Sequence, residues 1–127
     1  MLRVMDEITT LQAEVLKTLA SPRRLEILHR LFDGECEVGR LASELGLSQP
    51  NVSQHLSVLR ASGLVETERV GREVHYRLAD PDVMLACQIM RGVLERRLLR
   101  LAALSTAGGP SATTFDTTTS RVAPRVG

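Results

Sequence analysis

Between Leu45 and Val65 the chain holds no carboxylate, although it carries 15 Asp and Glu over its 127 residues. Amides and hydroxyls fill the gap: Ser48, Gln49, Asn51, Ser53, Gln54 and Ser57, with His55 among them. Such side chains hydrogen-bond to base edges and phosphate oxygens in a major groove. A carboxylate at that surface would be repelled by phosphate, so the acid-free run suits a face that meets nucleic acid. Arg69 and Arg72, further along, add positive charge suited to a DNA backbone or minor groove. Residues of catalytic type form no comparable set. There is no Gly-rich phosphate loop, no nucleophile elbow and no His paired with a plausible nucleophile, so no enzymatic activity is expected.

These polar groups need elements to hold them. Val38, Leu41, Ala42 and Leu45 recur at helical spacing and predict a short helix with one apolar face, ended by Gly46. Ser48 suits an N-cap and Pro50 the first turn of a second helix, where a missing N–H costs little. That helix buries Val52, Leu56 and Leu59, which turns Asn51, Ser53, Gln54 and Ser57 elsewhere and leaves Gln49 at its N-terminal tip. Leu64–Val70 and Glu73–Leu78 then read as strands, the second alternating Val74, Tyr76, Leu78 against Glu73, His75, Arg77. Gly71-Arg72 between them fits a two-residue turn with Gly in its first central place. A helix-turn-helix followed by a hairpin with a basic tip is a winged helix.

The remaining chain completes a mainly α fold of five helices, with the hairpin between the fourth and fifth. A first helix is predicted over Asp6–Leu19, with Ile8, Leu11, Val15 and Leu19 on one face. Ser21-Pro22 opens a second, which runs to Phe32 and stops at Asp33-Gly34. Asp80-Pro81 repeats the cap-then-Pro signature and opens a long last helix to about Leu104. Val83, Cys87, Met90, Leu94, Leu98 and Leu101 form one stripe on it, while Leu85, Ile89 and Leu99 lie off the stripe. The first and last helices thus offer more apolar surface than a small domain covers, which predicts a homodimer. Two-fold symmetry would set two reading helices about one DNA turn apart, on a palindromic operator. Residues 1–104 form the expected DNA-binding and dimerisation domain. Residues 105–127, rich in Thr, Ser, Gly, Ala and Pro without periodicity, are expected to be a disordered tail.

The stretch LKTLASPRRLEILHRL from Leu16, together with LASELGLSQPNVSQHLSVLRASGLVETERVGREVHYRLADP from Leu41, resembles the ArsR/SmtB family of small bacterial transcriptional repressors over roughly residues 10–95. The resemblance implies homodimeric winged-helix repressors, joined through the first and last helices, that leave the operator when an inducer binds. It also implies places where a sensor site would lie. One family site uses a Cys-x-Cys pair, and the matching positions here are Glu37 and Gly39, with Cys36 one residue too early. Another joins the last helices of the dimer, and Asp80 and Asp82 match its first pair while Val93 and Arg96 stand where imidazoles are needed. Without thiolate or imidazole partners neither set suits Zn²⁺, and no metal or other cofactor is expected. The dithiol positions of redox-sensing members read His29 and Glu95. Cys36 and Cys87 remain as candidate thiol-sensing residues, with the Cys36 thiolate expected to be disfavoured by like charge on Glu35 and Glu37. Asp80 is expected to cap the last helix. His29 is expected on the exposed side of the second helix, His55 beside the reading helix near phosphate, and His75 on the outward face of the wing.

Composition agrees with this picture. Formal net charge is +1, so charge placement rather than excess carries the nucleic-acid reading. No apolar run reaches membrane-spanning length and MLRVMDEITT has no signal-peptide character, so a cytoplasmic protein without a structural disulfide is expected. The competing reading is a winged helix used as a protein-interaction module without operator binding. The retained polar, acid-free face argues against it.

Overall fold

The computed structural model describes residues 2–108. Local sequence signals account for most of its boundaries. α1 spans Leu2–Leu19 and α2 spans Pro22–Phe32, with the Ser21 hydroxyl accepting the Arg24 amide at 3.4 Å as N-cap. β1 is the pair Cys36–Glu37, and α3 follows at once over Val38–Leu45. Gly46, at φ 67°, takes the left-handed conformation that ends α3, a geometry glycine adopts without penalty. α4 spans Gln49–Ala61 behind the Ser48 cap, whose hydroxyl accepts the Asn51 amide at 3.3 Å. β2 (Val65–Val70) and β3 (Glu73–Leu78) form the wing, and α5 covers Asp82–Gly108.

The sheet departs from the expected hairpin by one strand. β1 pairs antiparallel with β3, through Cys36 opposite Tyr76 and Glu37 opposite His75, so the order is β1-β3-β2. Two residues wedged between a loop and a helix carry no period-2 signal, which is why β1 is silent in the sequence. β2 and β3 keep a continuous register from Val65–Leu78 to Val70–Glu73. Gly71 closes the tip at φ 64° while Arg72 stays at ordinary φ, the pattern of a type II′ turn.

Residues 2–81 form one unit. Its core is Ile27, Leu28 and Leu31 of α2, Leu41 and Ala42 of α3, Val52, Leu56 and Leu59 of α4, and Leu64 and Val65 entering the wing. Aliphatic side chains supply this core, as the 2% aromatic content requires. The first helix begins at Leu2 rather than Asp6, and its predicted stripe divides. Leu19 is buried and Val15 half-buried, whereas Ile8 and Leu11 are exposed, together with Val4 and Met5.

α5 makes the second unit, a helix about 40 Å long at 1.5 Å per residue. It runs to Gly108 rather than stopping near Leu104, and the Thr106 hydroxyl donates to the Ala102 carbonyl at 2.9 Å in its last turn. Leu85, Ile89, Met90, Val93, Leu94, Leu99, Leu101 and Leu104 are exposed on it, so it is apolar on more than one side, as its pattern predicts. The rest of the expected tail, from residue 109, lies outside the described residues. No helix among the described residues is long and apolar enough to cross a membrane.

Candidate nucleic-acid interface

α4 presents its polar residues because its apolar ones are consumed below. Val52, Leu56 and Leu59 are fully buried, and the helix periodicity then turns Gln49, Asn51, Gln54 and Ser57 outward, all exposed. Ser53 is half-buried on the flank, and Ser48 is exposed while its oxygen caps the helix. The exposed surface of α4 carries no acid, and Arg60 adds a cation in its last turn.

His55 is half-buried. Its Nδ1 accepts a hydrogen bond from Nε of Arg24 at 3.4 Å, so this nitrogen is turned toward α2 rather than into the row of exposed amides.

The wing divides its charge between tip and face. Arg69 and Arg72 are exposed at the tip beside Gly71. Below them the register places Glu66, Glu68, Glu73, His75 and Arg77 on one face, and Val65, Thr67, Tyr76 and Leu78 on the other. Arg77 is spent on this acidic face, where Nε meets Glu66 at 2.9 Å and Nη1 meets Glu68. Among the described residues of the wing, the tip therefore offers the arginines not tied to a carboxylate. His75 shares that face but is half-buried rather than open, with Glu35 and Glu73 carboxylates 3.6 and 3.7 Å from its ring nitrogens. Both nitrogens are screened from solvent without a hydrogen-bond partner.

The sensor positions have structural occupations. Glu37 accepts the Arg40 amide at 2.6 Å as N-cap of α3. Glu44 ties Arg30 of α2 to Arg40 of α3, and the Arg30 contact holds the Glu44 carboxyl below the usual carboxylate range. Among the described residues no three His, Cys, Asp or Glu side chains gather to hold a metal ion. Cys36 is buried, and burial is the first cause that pushes its thiol above the ordinary value, with Arg30 pulling the other way. Like charge is thus a lesser cause than expected, Glu44 ranking ahead of Glu37. Cys87 is half-buried and its thiol is likewise raised by burial, opposed by Arg91. His29 is half-buried rather than on an open helix face.

Residues 21–67 match the family model described as bacterial regulatory protein, arsR family. The fold matches the crystal structure of Mycobacterium tuberculosis Rv0081 with 40% identity and a TM-score of 0.67, over 75% of this chain and 96% of that one. The chain belongs to the arsR family of bacterial regulatory proteins. The family model covers α2, α3, α4 and the start of β2, and that family is a class of regulators rather than enzymes. A second neighbour is the homodimeric winged helix-turn-helix DNA-binding domain of Mb0332 from Mycobacterium bovis, solved by NMR and described as a possible ArsR-family transcriptional regulator. It is 34% identical with a TM-score of 0.68, over 74% of this chain and 87% of that fragment. The biofilm growth-associated repressor of Xylella fastidiosa is 47% identical over 68 residues, 54% of this chain. The chain spans 60% of that relative's length.

Proposed function

We propose that this arsR-family protein is a sequence-specific transcriptional repressor that binds a palindromic operator as a homodimer. α4 enters the major groove, where Gln49, Asn51, Gln54, Ser57 and the flanking Ser53 address base edges and phosphates. Arg69 and Arg72 at the wing tip, and Ser48 at the head of α4, hold the backbone. The observation that carries this reading is the exposed, acid-free amide and hydroxyl face of α4 over a fully buried aliphatic stripe. The repressor name of the Xylella relative and the homodimeric DNA-binding domain from M. bovis support it.

The dimer is carried by α1 and α5. Each exposes a long apolar face, a feature that marks interaction surfaces on small soluble proteins. Release follows a signal in the cytoplasm, and raised thiols at Cys36 and Cys87 make both poor thiolate nucleophiles at neutral pH. The test is a selection of duplexes from a random library by the full-length protein, followed by footprinting. An enriched inverted repeat protected on both half-sites is expected, and binding without sequence enrichment overturns the proposal.

A further inference from the structure

We propose that Arg24 is a positioning residue for DNA reading, fixing the roll of α4 by bridging it to the end of α1. The inference rests on the proposed operator binding by α4.

Arg24 sits in the first turn of α2 and is half-buried. Its Nη1 donates to the Thr18 carbonyl at 3.0 Å, one of the last carbonyls of α1, which lack partners within their own helix. Its Nε donates to His55 Nδ1 at 3.4 Å. A bond of this sense uses the ring tautomer that carries its proton on Nε2. One guanidinium thus holds two helices at fixed donor positions, which its planar fork allows and a lysine ammonium does not reproduce. A second link runs parallel to it. The Thr18 and Ser62 hydroxyls lie 3.1 Å apart, and Ser62 is the C-cap of α4; its one hydroxyl proton goes to the Val58 carbonyl at 3.0 Å, so its Oγ accepts from Thr18.

These bonds refine what the core of α4 begins. Val52, Leu56 and Leu59 bury one side of the helix and so decide which face turns outward, and directional bonds narrow the roll that remains within that choice. Hydrogen bonds are directional, and the bond to His55 lies one residue from Gln54 on the exposed face. A roll of α4 that broke it would carry Gln54, Asn51 and Ser57 off their bases together. Thr18 belongs to α1, the helix proposed to carry the dimer, so the same bonds tie reading-face register to the subunit interface.

The test uses the full-length protein, a duplex selected in vitro by the wild type, and a scrambled duplex of equal composition, titrated at several salt concentrations. Arg24→Ala and His55→Leu are each expected to lower the selected-to-scrambled affinity ratio about tenfold with the salt slope unchanged. His55→Asn, whose Oδ1 stands as many bonds from the backbone as Nδ1, is expected to restore the ratio to within about twofold of wild type. The double variant Arg24→Ala/His55→Leu should be no worse than either single change. An unchanged ratio, or additive losses, overturns the inference. So does an equal loss on both duplexes with the slope reduced by about 0.9, which would make Arg24 a phosphate ligand instead. If circular dichroism finds Arg24→Ala unfolded, the His55→Leu and His55→Asn pair decides with Arg24 in place. A wild-type protein that enriches no duplex overturns the operator reading itself, and this inference with it.

Discussion

A Cβ on Gly39 would stand 2.9 Å from Oε1 of Glu37, the oxygen that accepts the Arg40 amide and caps α3. Glu37 and Gly39, the positions that the sequence resemblance matches to a Cys-x-Cys pair, thus hold an N-cap and the glycine that leaves room for it. The carboxylate is the far end of a flexible side chain, so an added methyl would displace it rather than clash irreparably.

Gly39→Ala should therefore be nearly neutral in the wild-type background. It gains about 0.8–1 kcal/mol of helix propensity and loses about 1 kcal/mol of capping. In a Glu37→Ala background, where no cap remains to displace, the same change should stabilise by roughly 0.5–1 kcal/mol. Urea denaturation of the four proteins measures the cycle, and equal effects of Gly39→Ala in both backgrounds would contradict the coupling.

Gln54→Ala and Arg72→Ala should separate reading from holding. Loss of the Gln54 amide should cost about 1–3 kcal/mol on the selected duplex, relax preference at one base position and leave the dimer intact. Loss of Arg72 should weaken all duplexes alike and reduce the salt slope by about 0.9. Titration at several ionic strengths distinguishes them. Wild-type affinity of Gln54→Ala for the selected site would show that the reading face is misplaced.

Leu11 on α1 and Leu94 on α5 are 59% and 45% exposed within one chain. Aspartate at either position should leave the helices of a single chain intact while removing the proposed dimer. A charge buried at an interface without a partner costs several kcal/mol, about 3–5 where pairs have been broken. Sedimentation should give a monomer mass at micromolar concentration with helical circular dichroism retained. A full dimer in both variants would place the interface elsewhere.

Cys36 and Cys87 should react with a disulfide reagent more slowly than a free cysteine at neutral pH. Burial raises both thiols, with Arg30 and Arg91 acting in the opposite direction. A thiol raised on folding contributes stability that is present below its unfolded pKa and lost as pH rises through the folded value. Alkaline pH should thus both speed labelling and weaken the fold, and Cys36→Ala should remove part of that alkaline loss. The pH profile of labelling, followed by mass spectrometry, settles the point: fast labelling at pH 7 would mean an activated thiolate instead.

Much of the fold is local information. The Ser21 and Ser48 caps, the prolines that follow them, the Gly46 stop, the Gly71 turn and the Val52/Leu56/Leu59 stripe each act within a few residues. The elements they delimit, and the polar face of α4, are accordingly written in the order of residues. The acid-free run needs no structure either, since it is a property of one contiguous segment.

Only the tertiary structure decided what depends on distant residues meeting. β1 exists because Cys36 and Glu37 find Tyr76 and His75 across the sheet, and two residues hold no period of their own. Arg77, basic in the sequence, is neutralised by Glu66 and Glu68 across the hairpin, which leaves the wing's arginines not tied to a carboxylate at its tip. His55 reads as a contact for phosphate until Arg24, thirty-one residues earlier, is folded against it. Hydrogen bonds and ion pairs of this kind are short-ranged and directional, and sequence spacing carries no trace of them. Propensity and periodicity specify which faces exist, whereas packing specifies which groups on those faces remain free to act.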